Sequence, residues 1–369
     1  MKKFGVNNFQ KQSIVIIRKI RMKKLTFILA FLIGITFFSD AFSKCDHDNC
    51  SSYNTFVLKF NNDFLKRRKD PSSDKRYTHG TTLGIITNDI QNKLEHIPVI
   101  NQLGDTIYGS VQLNQDIYTP DEIENITPMP DEHPYSGELN LILGLHGKKH
   151  IQMFNHETPT LFSIELGLGA TGQYSLAKNA QTEVHRLTGN DIPRGWDNQL
   201  ASHFSARLSG SMINKFNPVT IGDFTVEILS NIGGDLGNTL VQASLCEQLR
   251  FGFNIPDDFG TFAIGSGSFA SNLQGKNSSI YRSKYDKFWQ FYKYFGVHGI
   301  LSAKGKYVSY NYHIGEMVAP VREIGELGLG LGCIVMGYKI TIFYIHQTEQ
   351  FEEQAGPHKF GNFSLTHVW

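Results

Sequence analysis

Apolar and polar side chains alternate with a period of two along much of this chain. In residues 161–170, LFSIELGLGA, four apolar side chains share one face of an extended segment, namely Phe162, Ile164, Leu166 and Leu168. The segment 138–146, ELNLILGLH, repeats the pattern with a leucine at every second position. A period of two predicts β-strands with one apolar and one polar face.

Twelve segments of about ten residues carry this pattern. We predict strands over 53–64, 79–90, 107–118, 137–148, 160–171, 203–216, 220–231, 242–254, 292–304, 323–336, 338–348 and 360–369. Bacterial single-chain barrels have an even number of strands, and closure of the barrel pairs every backbone group within lipid. A soluble sandwich shows the same alternation with its apolar face turned inward, so the periodicity alone leaves both folds open.

The N-terminal region predicts export. The longest uncharged apolar run, LTFILAFLIGITFF at residues 25–38, is short for a membrane helix and has the length of the apolar part of a signal peptide. Two lysines precede it, and small residues at Ala41 and Ser43 suit cleavage before Lys44. We therefore expect an N-terminal extension and signal peptide over 1–43 and one domain over 44–369. Met22 is an alternative start.

Export favours the membrane barrel over the sandwich. The chain also ends in an alternating strand that closes on Trp369, and it is rich in aromatic residues, with 27 Phe and 15 Tyr. The prediction is an all-β fold, a single transmembrane antiparallel barrel in the bacterial outer membrane, with a short helix in an extracellular loop. The formal net charge of +1 argues against a nucleic-acid partner. We expect a monomer.

The four cysteines fall into two groups. Cys45 and Cys50, in KCDHDNCSS, suit a local disulfide in an exported protein or a short metal-binding tract. Cys246 and Cys333 lie in apolar, strand-like segments, where we expect small packing residues.

If both termini lie in the periplasm, the connections 65–78, 119–136 and 172–202 face outward, and the inward links are expected to be short. Asn62-Asp63 opens the first outward connection and Thr78 closes it. These oxygen atoms suit a hard cation such as Ca²⁺, although an Asn-Asp pair also commonly starts a turn. The basic residues of this connection suit lipid phosphates, although such runs are often only solvated; they are Lys66, Arg67, Arg68, Lys69, Lys75 and Arg76.

The third outward connection predicts a helix over about 176–187, which Gly189 and Pro193 end. Gln181 and His185 are four residues apart and share a face of this helix. A histidine in such a position is either a packed or solvated residue or a general base.

Together these motifs resemble the outer-membrane lipid A 3′-O-deacylase (LpxR-type) family. The resemblance runs from about residue 53 to the C-terminus and rests on Asn62-Asp63, Tyr77-Thr78-His79-Gly80, Tyr118-Thr119-Pro120, Pro134-Tyr135-Ser136-Gly137, and Gln181 and His185 leading to Gly195-Trp196-Asp197. It implies a twelve-stranded barrel with a Ca²⁺-dependent esterase site at its outer end, arranged like that of a secreted phospholipase A2.

The resemblance also implies a role for individual residues. His185 falls on the catalytic base, Asn62 and Thr78 on the family's amide and hydroxyl residues, and Gln181 where an amide can hold the oxyanion. Asp63 falls on the calcium-side carboxylate, and Asp191 matches a further acidic site residue. The chain departs from the family's motifs at His79, Glu132, His133 and Ser136, and the family's site lysine has no assigned position here.

The implied reaction is hydrolysis of the 3′-linked acyl-oxyacyl ester of lipid A, with water activated by His185 as the nucleophile and Ca²⁺ as cofactor. The chain contains no Gly-x-Ser-x-Gly motif for a serine nucleophile of the hydrolase-fold type. Two alternatives remain open: an outer-membrane phospholipase, and a non-enzymatic barrel such as a porin or adhesin.

Overall fold

A computed structural model describes residues 54–62, 76–90, 102–274, 295–335 and 337–368. Several expectations therefore fall outside the described residues. They concern the signal peptide, Cys45 and Cys50, Asp63, the basic residues between 66 and 75, and Trp369.

The described chain forms an antiparallel barrel. Its strands are β1 Thr55–Asn62, β2 Arg76–Asp89, β3 Thr106–Thr119, β4 Ser136–Met153, β5 His156–Thr171, β6 Phe204–Lys215, β7 Val219–Ile221, β8 Phe224–Gly237, β9 Leu240–Phe253, β10 Gly296–Asn311, β11 Glu323–Val335, β12 Tyr338–Gln347 and β13 His358–Val368. β1 pairs with β13, and β6 pairs with β8, so the sheet is closed. The short β7 pairs only with β8, which leaves the twelve barrel strands that periodicity predicts.

The exposure of the strands identifies the side that faces lipid. On β5, Ile164, Leu166 and Leu168 are 51 %, 43 % and 43 % exposed, whereas Ser163 and Glu165 between them are buried. A soluble sandwich would have the opposite arrangement, with its apolar face buried. The predicted barrel and the predicted lipid-facing side of this strand are confirmed.

Several strand boundaries differ by four residues or more from those predicted, namely the end of β4, the start of β5 and both ends of β8 and β10. β8 begins at Phe224 rather than at residue 220, because Gly222 takes a positive φ of 60° and turns the chain between β7 and β8. β10 continues to Asn311 rather than ending at residue 304. Lys304 and Lys306 interrupt the apolar pattern there, but the backbone remains paired with β9 and β11.

Helix α1 spans Ala177–Thr188, within one residue of the predicted helix. It ends at Gly189, whose φ of 77° lets its N–H donate to the His185 carbonyl oxygen. Within the described residues, none of the helices is long and apolar enough to cross a membrane.

The connection between β9 and β10 is long, so the expectation that all inward links are short is wrong here. Its described part, residues 254–274, lies inside the barrel and is called the plug below. Lys59 on β1 donates to the Phe262 carbonyl (2.7 Å), and Asn231 on β8 donates to the Ser266 carbonyl (3.1 Å). β1 and β8 stand on opposite sides of the barrel, so side chains from both walls bind the plug backbone.

An apolar cluster joins the plug to the inner wall. It comprises Leu161, Ile213, Leu229 and Cys246 from the strands with Phe259, Phe262 and Ala270 from the plug. The predicted packing role of Cys246 is confirmed.

Candidate active site

Helix α1 packs on the lipid side of the barrel wall. Ala177 of the helix belongs to a buried cluster with Ile117, Tyr135 and Trp196. Ile117 projects from the same face of β3 as Val111 and Leu113, which are exposed to lipid. The helix therefore covers the outer end of the lipid-facing surface of β3 rather than the mouth of the lumen.

The buried face of the helix carries the two predicted site residues. Ala177, Gln181 and His185 are all buried and follow one another at intervals of four residues. The Nδ1 atom of His185 lies 2.5 Å from the main-chain carbonyl oxygen of Asp191. A carbonyl only accepts, so Nδ1 carries a proton, and in the neutral ring Nε2 then carries the lone pair. This is the tautomer that a general base requires if Nε2 is the reacting atom.

Gln181 makes a hydrogen bond that the sequence analysis did not anticipate. The indole N–H of Trp196 donates to Gln181 Oε1 at 2.8 Å, and Trp196 also packs against the ring of Tyr135 at 4.9 Å. The motif Gly195-Trp196-Asp197 is visible in the sequence, but its contact with Gln181 depends on how the loop folds back over the helix.

Asn62 and Thr78 lie together at the outer end of the same wall. Asn62 Nδ2 donates to the Thr78 carbonyl at 3.0 Å, and the hydroxyls of Thr78 and Thr119 are 2.6 Å apart. Thr119 is two residues from Ile117, so both side chains project from the same face of β3. The structure thus brings Asn62 and Thr78 to the strand against which the helix of Gln181 and His185 packs.

A scan against known families decides the identity. The model of the family described as outer membrane protein LpxR matches residues 25–369. This chain belongs to the LpxR family. It is therefore an outer-membrane lipid A deacylase, which is a hydrolase.

Two solved structures are similar to this chain. LpxR from Salmonella typhimurium has a TM-score of 0.64 at 14 % identity, with 85 % of this chain and 100 % of that chain covered. The β domain of the Bordetella autotransporter Brka gives a TM-score of 0.39 at 10 % identity, with 86 % and 99 % covered. No curated protein sequence matches this chain.

Oxygen atoms, the ligands that hard cations prefer, lie near Asn62. Asn62 directs its amide nitrogen to the Thr78 carbonyl, which leaves its amide oxygen as a potential ligand. The carboxylate that would complete such a site, Asp63, lies outside the described residues, and Asp191 is exposed. Among the residues that the structure describes, no three His, Cys, Asp or Glu side chains are grouped to hold a metal.

Arg76 does not suit the predicted contact with lipid phosphate. It is buried and donates through Nε and Nη2 to the two carboxylate oxygens of Glu132, at 3.2 Å each. Glu132 is one of the positions at which this chain departs from the family motif. The pair joins the outer end of β2 to the second outward connection, and a paired guanidinium is no longer available to a phosphate.

A Ser–His–Glu chain of hydrogen bonds occurs at a second place in the barrel. His313 Nδ1 is 2.8 Å from Ser136 Oγ, and His313 Nε2 is 3.2 Å from Glu138 Oε2. Ser136 and Glu138 alternate with Leu141 and Leu143, which face lipid, so both project into the lumen. Ser136 is fully buried and projects into the lumen rather than toward lipid, so these hydrogen bonds do not present a serine nucleophile to a phospholipid of the bilayer.

Ser136 and His133, two further departures from the family motif, belong to the same cluster. The ring of Tyr118 stacks on His133 at 5.2 Å and on His313 at 4.6 Å. Burial lowers the pKa of His133 to about 3, and the nearby charges of His313 and Arg76 act in the same direction. His133 is therefore a neutral ring that helps to close the outer mouth of the barrel.

Proposed function

We propose that this LpxR-family hydrolase removes the 3′-linked acyl-oxyacyl group of lipid A, with water activated by His185. The observation that carries the proposal is the position of His185. Its buried ring is held by the Asp191 carbonyl on a helix that covers the lipid side of the barrel wall. Lipid A occupies the outer leaflet beside this wall, so its ester can reach the histidine without leaving the membrane.

In the proposed reaction, His185 Nε2 takes a proton from water as the oxygen attacks the ester carbonyl. The tetrahedral intermediate carries a negative oxygen that needs hydrogen-bond donors. Because Gln181 Oε1 accepts from Trp196, its NH₂ group is the end of the amide that would donate to this oxygen. The protonated His185 then returns its proton to the departing sugar oxygen, and the products are a carboxylic acid and an alcohol.

Calcium is the cofactor in this proposal. Asp63 would be the main side-chain ligand, Asn62 would supply an amide oxygen beside Thr78, and Asp191 would supply a further carboxylate. When bound, Ca²⁺ would polarise the ester carbonyl. The oxygen-rich surroundings of Asn62 support this choice of ion, since hard cations prefer oxygen ligands.

The acyl chains remain in the bilayer in this proposal. The helix and its flanks expose apolar side chains that suit contact with lipid, namely Leu176, Val184, Leu187 and Ile192. They continue the apolar band of the barrel outward. We further propose that residues 1–43 are removed on export and that the domain over 44–369 acts as a monomer.

Mass spectrometry of lipid A from cells that express the chain tests the function. We expect lipid A to lose its 3′-linked acyl-oxyacyl group in cells that express the wild type and to keep it in cells that express His185→Ala. Intact lipid A with new lysophospholipid would instead identify a phospholipase. Intact lipid A and phospholipid would identify a non-enzymatic barrel, a function that the plug inside the lumen already disfavours for a porin.

A further inference from the structure

Trp196 is unusual for a tryptophan at a membrane surface. Such residues commonly keep the indole N–H at the wet interface. Here Trp196 is only 1 % exposed, in a short 3-10 helix over Gly195–Asn198 that follows α1. Its N–H needs a buried acceptor, and the acceptor is Gln181 Oε1 at 2.8 Å.

This bond decides which end of the Gln181 amide faces the indole. A primary amide has an accepting oxygen and a donating NH₂ at opposite ends, and rotation by half a turn exchanges them. A reversed amide would set its NH₂ against the indole N–H, with two donors facing each other. Trp196 therefore holds the oxygen on its own side and turns the NH₂ away.

The indole is itself held firmly. Its ring packs on Tyr135, whose hydroxyl donates to the Ile123 carbonyl at 2.6 Å. A Cβ atom at Gly195 would lie 2.3 Å from the Tyr135 ring, so only glycine permits this approach. Two outward connections thus combine to fix one hydrogen-bond donor against the helix.

We propose that Trp196 is a positioning residue for ester hydrolysis, which acts by holding the Gln181 amide with its NH₂ group toward the developing oxyanion. The inference rests on the proposed function, in which Gln181 is the donor. It assigns to Gly195 and Trp196 the task of fixing the orientation of that donor.

The test compares Trp196→Phe, Gln181→Ala and the double variant. Phenylalanine keeps an aromatic ring but lacks the N–H. Loss of one oxyanion donor typically lowers kcat by about 10²–10³, and we expect this for Gln181→Ala. Trp196→Phe should lower kcat by about tenfold or more with little change in KM. The double variant should be no slower than Gln181→Ala, because the indole acts through the amide.

Asp197→Asn is the matched control. Asp197 follows Trp196 in the same short helix, and its exposed carboxylate pairs with Lys178. This variant should retain full kcat. A Trp196→Phe variant with wild-type kcat would contradict the proposal. If Trp196→Phe lowered kcat by the same factor in Gln181→Ala as in wild type, this would also contradict the proposal, since the two residues would then act independently.

A measurement without catalysis separates this inference from the proposed function. In ¹⁵N-tryptophan-labelled protein, the indole signal that disappears in Trp196→Phe belongs to Trp196. Gln181→Ala should shift that signal and hasten its exchange with solvent. An unmoved signal would overturn the positioning bond even in an active enzyme. If the signal moves but wild type leaves lipid A intact, the proposed function fails and the oxyanion role assigned to the bond fails with it.

Discussion

His185 and Asp191 are joined by a hydrogen bond from the imidazole Nδ1 to a main-chain carbonyl oxygen, at 2.5 Å and six residues apart. Gly189 lies between them and ends the helix, so the chain turns back and brings that carbonyl to the ring. The acceptor belongs to the backbone, and the orientation of the imidazole is therefore independent of the side chain at position 191. The histidine is held in one tautomer by the fold itself.

Replacement of His185 by Ala or Asn removes the proposed base. We expect a folded protein whose deacylation rate falls by about two to four orders of magnitude. The rate is measured per folded molecule at about pH 8, where an ordinary histidine is neutral, and folding is checked by heat-modifiable migration on gels. Glu183→Gln, on the exposed side of the same helix, is the control. A folded His185→Ala variant with more than about a tenth of the wild-type rate would show a packing residue.

Removal of calcium should abolish activity. Excess EDTA is expected to stop deacylation, and added Ca²⁺ to restore it, because the ion would supply the positive charge that polarises the ester carbonyl. Asp63→Ala should be inactive, whereas Asp191→Asn should need more Ca²⁺ but keep the backbone bond to His185. Titration of the rate against free Ca²⁺ measures both. Full activity of Asp63→Ala in EDTA would remove calcium from the proposal.

The membrane explains why the barrel was predictable from sequence. Lipid on one side and a polar lumen on the other impose an alternation of apolar and polar side chains on every strand, as on β5. Each strand can therefore be predicted from its own residues. The plug has no such period, and its partners, such as Lys59, are about two hundred residues away in sequence. The helix was predictable from local signals of another kind, since Gly189 and Pro193 mark its end. Its place on the lipid side of β3, and the bond between Gln181 and Trp196, depend on the direction in which the loop folds.

The lipid-facing side of β5 can be tested with a charge. Leu166→Arg places a cation in the apolar band, where it costs about 2–4 kcal/mol near the midplane. We expect less heat-modifiable barrel and a lower urea midpoint in lipid vesicles. Leu166→Ala is the control and should fold like wild type. Equal stability of the arginine variant would place this side chain away from lipid.

The buried His133 should make the barrel less stable in mild acid. Its native pKa of about 3 lies below the ordinary value, so the unfolded chain binds a proton at pH values between the two. Stability therefore falls as the pH is lowered from about 6.5 toward 3, by at most about 1.4 kcal/mol per pH unit from this group. His133→Phe keeps a neutral ring at this position. Its free energy of unfolding should fall less between about pH 7 and about pH 5, the interval in which an ordinary histidine gains its proton. Identical urea midpoints for both proteins at each pH would contradict this assignment.

Asp258 anchors the plug to the barrel wall. Its carboxylate accepts from Arg250 Nη1 and from Lys339 Nζ, each at 2.5 Å, and all three side chains are fully buried. Asp258→Ala would leave two buried cations without this partner, and breaking a buried pair in this way typically costs about 3–5 kcal/mol. Arg250 would keep its ion pair with Glu227, but Lys339 would lose this carboxylate and draw water into the lumen, which would weaken the hold on the plug. We expect this variant to have a lower urea midpoint. In planar bilayers we expect it to show single-channel conductance, and we expect the wild-type barrel to show none.

The neighbouring Asp257→Ala is the matched control, because that carboxylate is half-exposed and its loss leaves Arg250 and Lys339 paired. Asp258→Ala combined with Lys339→Met should recover part of the lost stability, since the lysine that lost its carboxylate is gone. An Asp258→Ala barrel that is as stable and as closed as Asp257→Ala would mean that the apolar cluster around Phe259 and Phe262, rather than the ion pairs, retains the plug.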